Sequence, residues 1–393
     1  MRVVAERGRR MRRVAAVVVA LSLGGGVLAA CTPAPSGPPV AVLFPGAADD
    51  AWGSGAEVLR SELARDGYAV EVRFAGDDIP LQLDQLHAVL EAQPAAVVIA
   101  PVDATAVAAV LDDEAPDGVA VIAYDELVVN SAEVDYFATF DHRAAGRMRA
   151  EALVQRLTLD APGPALALEL MAGSGDERGA REAFAGSLEV LQPYLDAGRV
   201  TVPSGRVTLE RAAITRGDPA VAADRVAAVL ADGTVLAGVL CPSDEMAAAV
   251  AGVLADAGLA VAADVPAPVG GAAPSGTPSP DPSTSAAPGS GTPGPEAVPS
   301  APEPPAASVV LTGGGQSLAG ARAVQAGELT ATVFEDPREL ARVVASMVRE
   351  VVRHEVPTVT AGATVDNGLR EVPTRMVQPR RVDSLAAAAE LLG

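Results

Sequence analysis

"VIAYDELVVNSAEVDYFATFDHRAAG", Val121 to Gly146, holds two short apolar runs that each stop on an aspartate, Asp125 and Asp141. Runs that are apolar throughout, rather than alternating, are strands buried on both faces. Outward in both directions the pattern repeats. Upstream stand "VAVLF" (40–44), "AVEVRF" (69–74) and "AAVVIAPV" (95–102), with helical periodicity over 52–66, 79–93 and 104–115. A helix over 143–157 leads into a second array: "ALALELMA" (165–172), "VTVPS" (200–204), "AGVLCP" (237–242), "SVVLTGG" (308–314) and "TATVFE" (330–335). Helical patterns over 179–196, 219–231, 245–257, 317–326 and 337–353 separate them. This alternation predicts an α/β fold of two doubly wound parallel-sheet lobes joined by a hinge, each array being too small for a barrel. A chain of 393 residues suffices for two such cores.

The aspartates recur where strand passes to helix: "PVDA" (Asp103), "PSDE" (Asp244) and "FEDP" (Asp336) join Asp125 and Asp141. Open α/β sheets bind ligands at their carboxyl edge, and aspartate is also a good helix N-cap. Capping is the reading for Asp103, Asp141 and Asp336. For Asp125 and Asp244, capping and ligand contact both stay open.

Residues 1–30 read as a lipoprotein signal peptide: six arginines precede an apolar stretch from Val14 to Leu28, too short to span a bilayer. It ends in "LAAC", which resembles the bacterial lipobox and makes Cys31 the expected lipidation site, with 31–39 as a short tether. The expected place is thus the cell membrane, anchored by lipid on its outer face. Residues 40–158 are read as the N-terminal lobe, completed by a C-terminal crossover; 159–265 with 308–353 as the C-terminal lobe; and 354–393 as crossover and tail. Residues 266–307 are almost wholly Pro, Ala, Gly, Ser and Thr, a composition that predicts a disordered insertion in the second lobe.

Lysine is absent and the formal net charge is −21, which argues against a nucleic-acid partner. With Cys31 acylated, Cys241 has no disulfide partner and reads as a buried thiol. Three scattered histidines, His87, His142 and His354, offer no metal-ligand spacing, so neither metal nor cofactor is expected. No phosphate loop, dinucleotide fingerprint or nucleophile elbow occurs, which makes an enzyme, such as a hydrolase with paired aspartates, the weaker class.

Over residues 40–382, apart from 266–307, the chain resembles the type I periplasmic-binding-protein-like receptors of bacterial ABC transporters, of the xylose, ribose and multiple-monosaccharide type. The likeness rests on "AYDELVVNSAEVDYFATFDHRAAGRMRAEAL", "ELMAGSGDERGAREAFAGSLEVLQPYLDAGRV", "SDEMAAAVAGVLADAG", "SLAGARAVQAGELTATVFEDPRELA" and "VDNGLREVPTRMVQPRRV", in that order. It implies a monomeric receptor, not an enzyme, that closes two lobes on a small polar solute and presents it to a membrane permease. Trp52 stands where the family has an aromatic stacker, though it also reads as a core plug. Asp125 matches the family's Tyr-Asp-Arg aspartate, with Glu126 in place of the arginine. Arg178 matches the arginine of the ribose-type pattern. Asp244 matches the aspartate of an Asn-Asp pair, Ser243 replacing the asparagine. Gly315 stands where a ligand-binding aspartate is expected, and Glu335 where lysine is frequent. The resemblance therefore implies Trp52, Asp125, Glu126, Arg178, Asp244 and Glu335 as ligand contacts, with a monosaccharide as the first expectation. A sensory or scaffolding lipoprotein with an altered, non-sugar pocket is the alternative.

Overall fold

A computed structural model describes residues 37–263 and 308–393. The signal peptide, Cys31, most of the tether and the insertion at 266–307 lie outside the described residues.

The first array forms β1 (Pro39–Phe44), α1 (Ala51–Arg65), β2 (Ala69–Phe74), α2 (Ile79–Glu91), β3 (Ala96–Ile99), α3 (Ala104–Glu114), β4 (Ala120–Tyr124) and β5 (Tyr136–Phe140). The second begins with α4 (His142–Arg156), β6 (Leu166–Leu170), α5 (Arg178–Asp196), β7 (Val200–Thr201), α6 (Leu209–Ala212), α7 (Pro219–Ala231), β8 (Leu236–Leu240), α8 (Asp244–Asp256) and β9 (Ala260–Val261). It continues with β10 (Ser308–Gly315), α9 (Ala319–Ala326) and β11 (Ala331–Phe334), and the chain closes with α10 (Pro337–Val352), β12 (Thr364–Asp366), β13 (Glu371–Val377), β14 (Arg380–Val382) and α11 (Leu385–Leu392).

Two sheets result, ordered β12-β13-β5-β4-β3-β1-β2 and β14-β11-β10-β8-β6-β7, with β9 beside β10. The pairings are parallel except for β12 with β13 and β11 with β14. Helices cover both faces, as the unbroken apolar strands require. Alternate residues divide between them: Val42, Val98 and Ile122 face Leu59, Leu340 and Val344, whereas Leu43, Val97 and Val121 face Leu86, Val107 and Leu111. The second sheet splits likewise, Val239 and Leu311 toward α8 and α9, Leu168, Leu240 and Val310 toward α4 and α5.

The chain crosses between lobes after β5, after β11 and after β13. Helix α4 packs against α5, β8, β10, β11 and β14, so it belongs to the second lobe; α10 packs against α1, β4, β5 and β13, so it belongs to the first. The first two crossings therefore fall one helix earlier than the boundaries at 158 and 353 read from sequence. An amphipathic stripe states that a helix is buried but not on which sheet. Leu340, Val344, Met347 and Val348 of α10 are fully buried against the first lobe, each worth about 1.5–3 kcal/mol. The tail forms α11, packed on α9 with Ala388 buried.

The α4–α5 contact depends on glycine. A Cβ on Gly146 would overlap the Ala183 carbonyl, and one on Gly186 would overlap the Arg143 carbonyl. Ser187 Oγ, buried in the same seam, donates to the Gly146 carbonyl at 3.0 Å. The first turns of both helices open onto the space between the lobes, so this seam sets the site's geometry.

Candidate ligand-binding site

At the carboxyl edges of both sheets a cavity of ≈350 Å³ lies between the lobes. The turn after β4 contributes Asp125 and Glu126, the first crossing His142, and the segments just after β10 and β11 Gln316 and Glu335; Arg149 enters from α4, and Ser174, Glu177, Arg216 and Ser243 close the second-lobe side.

Three strand-end aspartates are caps: Asp103 accepts from the Thr105 and Ala106 amides, Asp141 from Ala144 and Asp336 from Arg338. Asp125 is not. No helix follows it; its φ is 60°, and the Glu126 amide donates back to the Tyr124 carbonyl at 2.6 Å. That is a tight γ-turn with positive φ, a conformation costing about 1–3 kcal/mol, and it faces the cavity. The Asp125 amide donates to the Ala138 carbonyl, which anchors the turn to β5.

Charged groups interlock across the cleft. Gln316 Nε2 donates to Asp125 Oδ2 at 2.8 Å, and Thr139 Oγ1 donates to Asp125 Oδ1 at 3.3 Å. His142 Nδ1 donates to Glu335 Oε1 at 2.9 Å, while its Nε2 lies 3.2 Å from Thr139 Oγ1 and 3.7 Å from Asp125 Oδ1. Burial alone would lower the His142 pKa, but the Glu335 and Asp125 carboxylates reverse this and raise it well above the usual value. His142 is thus a buried cation bridging two carboxylates.

Glu126 is pushed up to about 7, chiefly by burial and next by the Asp125 charge, with Glu177 adding and His142 and Arg178 opposing. Arg149, 6% exposed, donates from Nη1 to the Pro242 carbonyl at 3.2 Å, while its Nε meets no acceptor. Gly314 leaves room for this guanidinium, which a Cβ there would strike.

Asp125, Glu126 and Glu335 of the sequence-derived set thus share one cavity. Arg178 opens α5 beside it, near enough to bias the Glu126 charge. Trp52 does not line this cavity; it packs in the first lobe with ring centroids 5.3 Å from Phe44 and 6.0 Å from Tyr124. Asp244 also lies off the cavity. Ser243 is the cap of α8, accepting from the Met246 amide, and Asp244 turns inward to accept from Thr332 Oγ1 at 2.7 Å. Sequence reasoning missed His142, Arg149, Gln316 and Arg216. His142 stood one residue past a strand-end aspartate and was reachable by the same edge rule; Arg149, two helical turns further on, carried no such signal. Among the described residues no cluster of three or more His, Cys, Asp or Glu suits a metal ion. Cys241 is free and fully buried, and burial raises its thiol pKa.

Burial also pushes Asp244 up to about 6. Its folded pKa stands above the unfolded value, so its stabilising contribution is present below about pH 4 and lost as pH rises through about 6. Asp244→Asn is expected to remove a fall of roughly 2–3 kcal/mol between pH 4 and pH 7, read from urea midpoints. Parallel pH profiles for variant and wild type would rule this out.

Two α/β lobes, three crossings and a polar cavity between carboxyl edges define a solute-binding protein of the hinged, two-lobed class. The comparisons agree. Residues 40–277 match the periplasmic binding protein domain family. The multiple sugar-binding periplasmic receptor ChvE of Rhizobium radiobacter is 30% identical over 378 residues, covering 95% of this chain and 94% of that protein. The multiple sugar-binding periplasmic protein SbpA of Azospirillum brasilense is 31% identical over 351 residues, 88% of this chain and 86% of its own. Among solved structures, an ABC transporter solute-binding protein from Clostridium phytofermentans with bound β-D-glucose superposes with a TM-score of 0.71 at 25% identity, covering 90% of this chain and 96% of that one. The chain belongs to the periplasmic binding protein family, and it is a binding protein rather than an enzyme.

Proposed function

We propose that this protein is a lipid-anchored extracytoplasmic receptor that closes its lobes on a monosaccharide and delivers it to an ABC transporter permease. The observation that carries the reading is the polar cavity spanned by the Asp125–Gln316 hydrogen bond, in which carboxylates, an amide and arginines converge from both lobes. Such groups match the alternating donors and acceptors of a sugar ring. The relatives' sugar-binding names support the ligand class, and "LAAC" with its basic, apolar leader supports the anchor at Cys31. The receptor acts as a monomer, its partners being the solute, the membrane and the permease.

Thermal denaturation of the full chain in mild detergent, against a panel of aldoses and polyols, tests the reading. A bound sugar at one hundred times its Kd stabilises the fold by about 2.7 kcal/mol, visible as a rise in Tm. Silence across the panel would remove the sugar reading. Uptake in vesicles carrying a permease separates delivery from a sensory role.

A further inference from the structure

We infer that His142 is a positioning residue that acts through Asp125 and Glu335 to hold the two lobes closed before any solute arrives. The inference rests on the hinged, two-lobed class and not on which solute is bound.

The three crossings are tied together at the first of them. The chain passes from β5 into α4 at Asp141 and His142, from β11 into α10 at Glu335 and Asp336, and out of β13 at Gln378. His142 Nδ1 donates to Glu335 Oε1 at 2.9 Å, which joins the first crossing to the second. Gln378 Nε2 donates to Asp141 Oδ2 at 3.3 Å, and the Asp141 amide donates to the Val377 carbonyl at 2.9 Å, which join it to the third. The other ring nitrogen of His142 lies 3.7 Å from Asp125 Oδ1 on the first-lobe turn. That same carboxylate accepts from Gln316, so the lobes are bonded to each other across the cleft. The Glu335 amide donates to the Gly315 carbonyl at 3.0 Å, which fixes the far end of the clasp to β10.

The charges around the cavity balance. Asp125, Glu126, Glu177 and Glu335 stand against His142, Arg149, Arg216 and, at the edge, Arg178. Among the described residues only His142 is ion-paired with any of these acids. Arg149 is near enough to Glu335 to feel its charge, but it donates to the Pro242 carbonyl. A neutral side chain at 142 therefore leaves two buried carboxylates without a cationic partner where the lobes pivot, which is unfavourable. Opening the cleft to water relieves this most easily, because bending at the crossings disturbs neither core. Apparent affinity for any solute then falls by the fraction of molecules left open.

Besides Asp125 and Glu335, the charges facing His142 are Glu126 from the turn, Arg149 from its own helix, and Glu177 and Arg178 from the start of α5, where Gly179 lies against the ring. Burial lowers the His142 pKa, but Glu335 and Asp125 raise it well above the usual value. The clasp is thus present at neutral pH and lost as pH rises through that raised value. Glu126, pushed up to about 7, gains charge over part of the same rise, so the pH profile is read in Glu126→Gln.

Spin labels at Ala48→Cys after β1 and Pro203→Cys after β7 report the mouth of the cleft, since these strands stand toward the ends of their sheets away from the crossings. The full chain carries Cys31→Ser, and Cys241 is fully buried. Without solute at about pH 7.5, one short separation is expected in the wild type and a longer one in His142→Gln. Adding Glu335→Gln to His142→Gln removes one unpaired charge and should restore the short separation. In Glu126→Gln the separation should lengthen between about pH 7.5 and about pH 10, and His142→Gln should abolish that dependence. A long separation in the wild type, a short one in His142→Gln, or a flat profile in Glu126→Gln overturns the inference and leaves the receptor reading standing. A double variant as open as His142→Gln alone also overturns it, since the opening then reports lost packing rather than charge.

Discussion

Leucine at position 146 is expected to destabilise the second lobe by about 3 kcal/mol and to abolish ligand binding with it. The physical reason lies in the seam between α4 and α5, where the Gly146 Cα faces the Ala183 carbonyl with no space for a side chain. Leucine is a better helix former than glycine by about 0.8–1 kcal/mol, so a solvent-facing site would gain from the change. Gly252, mid-way along α8 with nothing near its missing Cβ, is that contrasting site, and Gly252→Ala should stabilise slightly. At Gly146 the overlap dominates. The helices must part, and Gly186 and the Ser187 bond to the Gly146 carbonyl lose their contacts in the same movement. Because α4 begins with His142 and α5 with Arg178, parting them also displaces both from the cleft. Guanidinium midpoints for the two glycine variants decide the matter. A midpoint for Gly146→Leu equal to wild type would mean that the seam is looser than described.

The second large effect is expected at Asp125. Asp125→Asn keeps a residue tolerant of positive φ while removing one charge from the cleft. Losing one member of a buried, hydrogen-bonded charge cluster costs about 2–5 kcal/mol of binding, so the Kd for the best-bound sugar should rise about thirtyfold to several thousandfold. Stability of the ligand-free protein should change less, because relief of the repulsion between Asp125 and Glu126 opposes the loss of a carboxylate facing the buried His142 cation. A less than threefold change in Kd would exclude Asp125 from direct contact with the solute.

Much of the frame was legible in the sequence because apolar runs and helical stripes report burial directly. The two arrays, their parallel character and the caps at Asp103, Asp141 and Asp336 follow from residue type and spacing. Position 244 was harder. An aspartate after Ser243 at a strand end fits a ligand contact or a cap equally well, and the choice turned on Thr332, which is distant in sequence. Trp52 shows the same ambiguity, its ring lying against Phe44 and Tyr124, a neighbourhood that only the folded sheet creates. Helices α4 and α10 exchange lobes for a reason no local pattern holds: which sheet they cover depends on the crossings. Arg149 was invisible because one arginine among the four of α4 reads as solvated charge, whereas here small residues around it, Ala145, Gly146 and Ala150 on its own helix and Gly314 on β10, let it sink inward.

The crossing pattern also governs how the molecule is made. Strand β13 lies next to β5, Thr374 pairing with Phe137, so the amino-terminal sheet acquires an interior strand from a segment made only after β6 to β11 of the other lobe. Until then β5 is an open edge and the surface destined for α10 is bare. Vectorial synthesis therefore cannot finish one half and then the other. The open edge at β5 must be shielded while the second lobe is made, and the two lobes mature together rather than in succession.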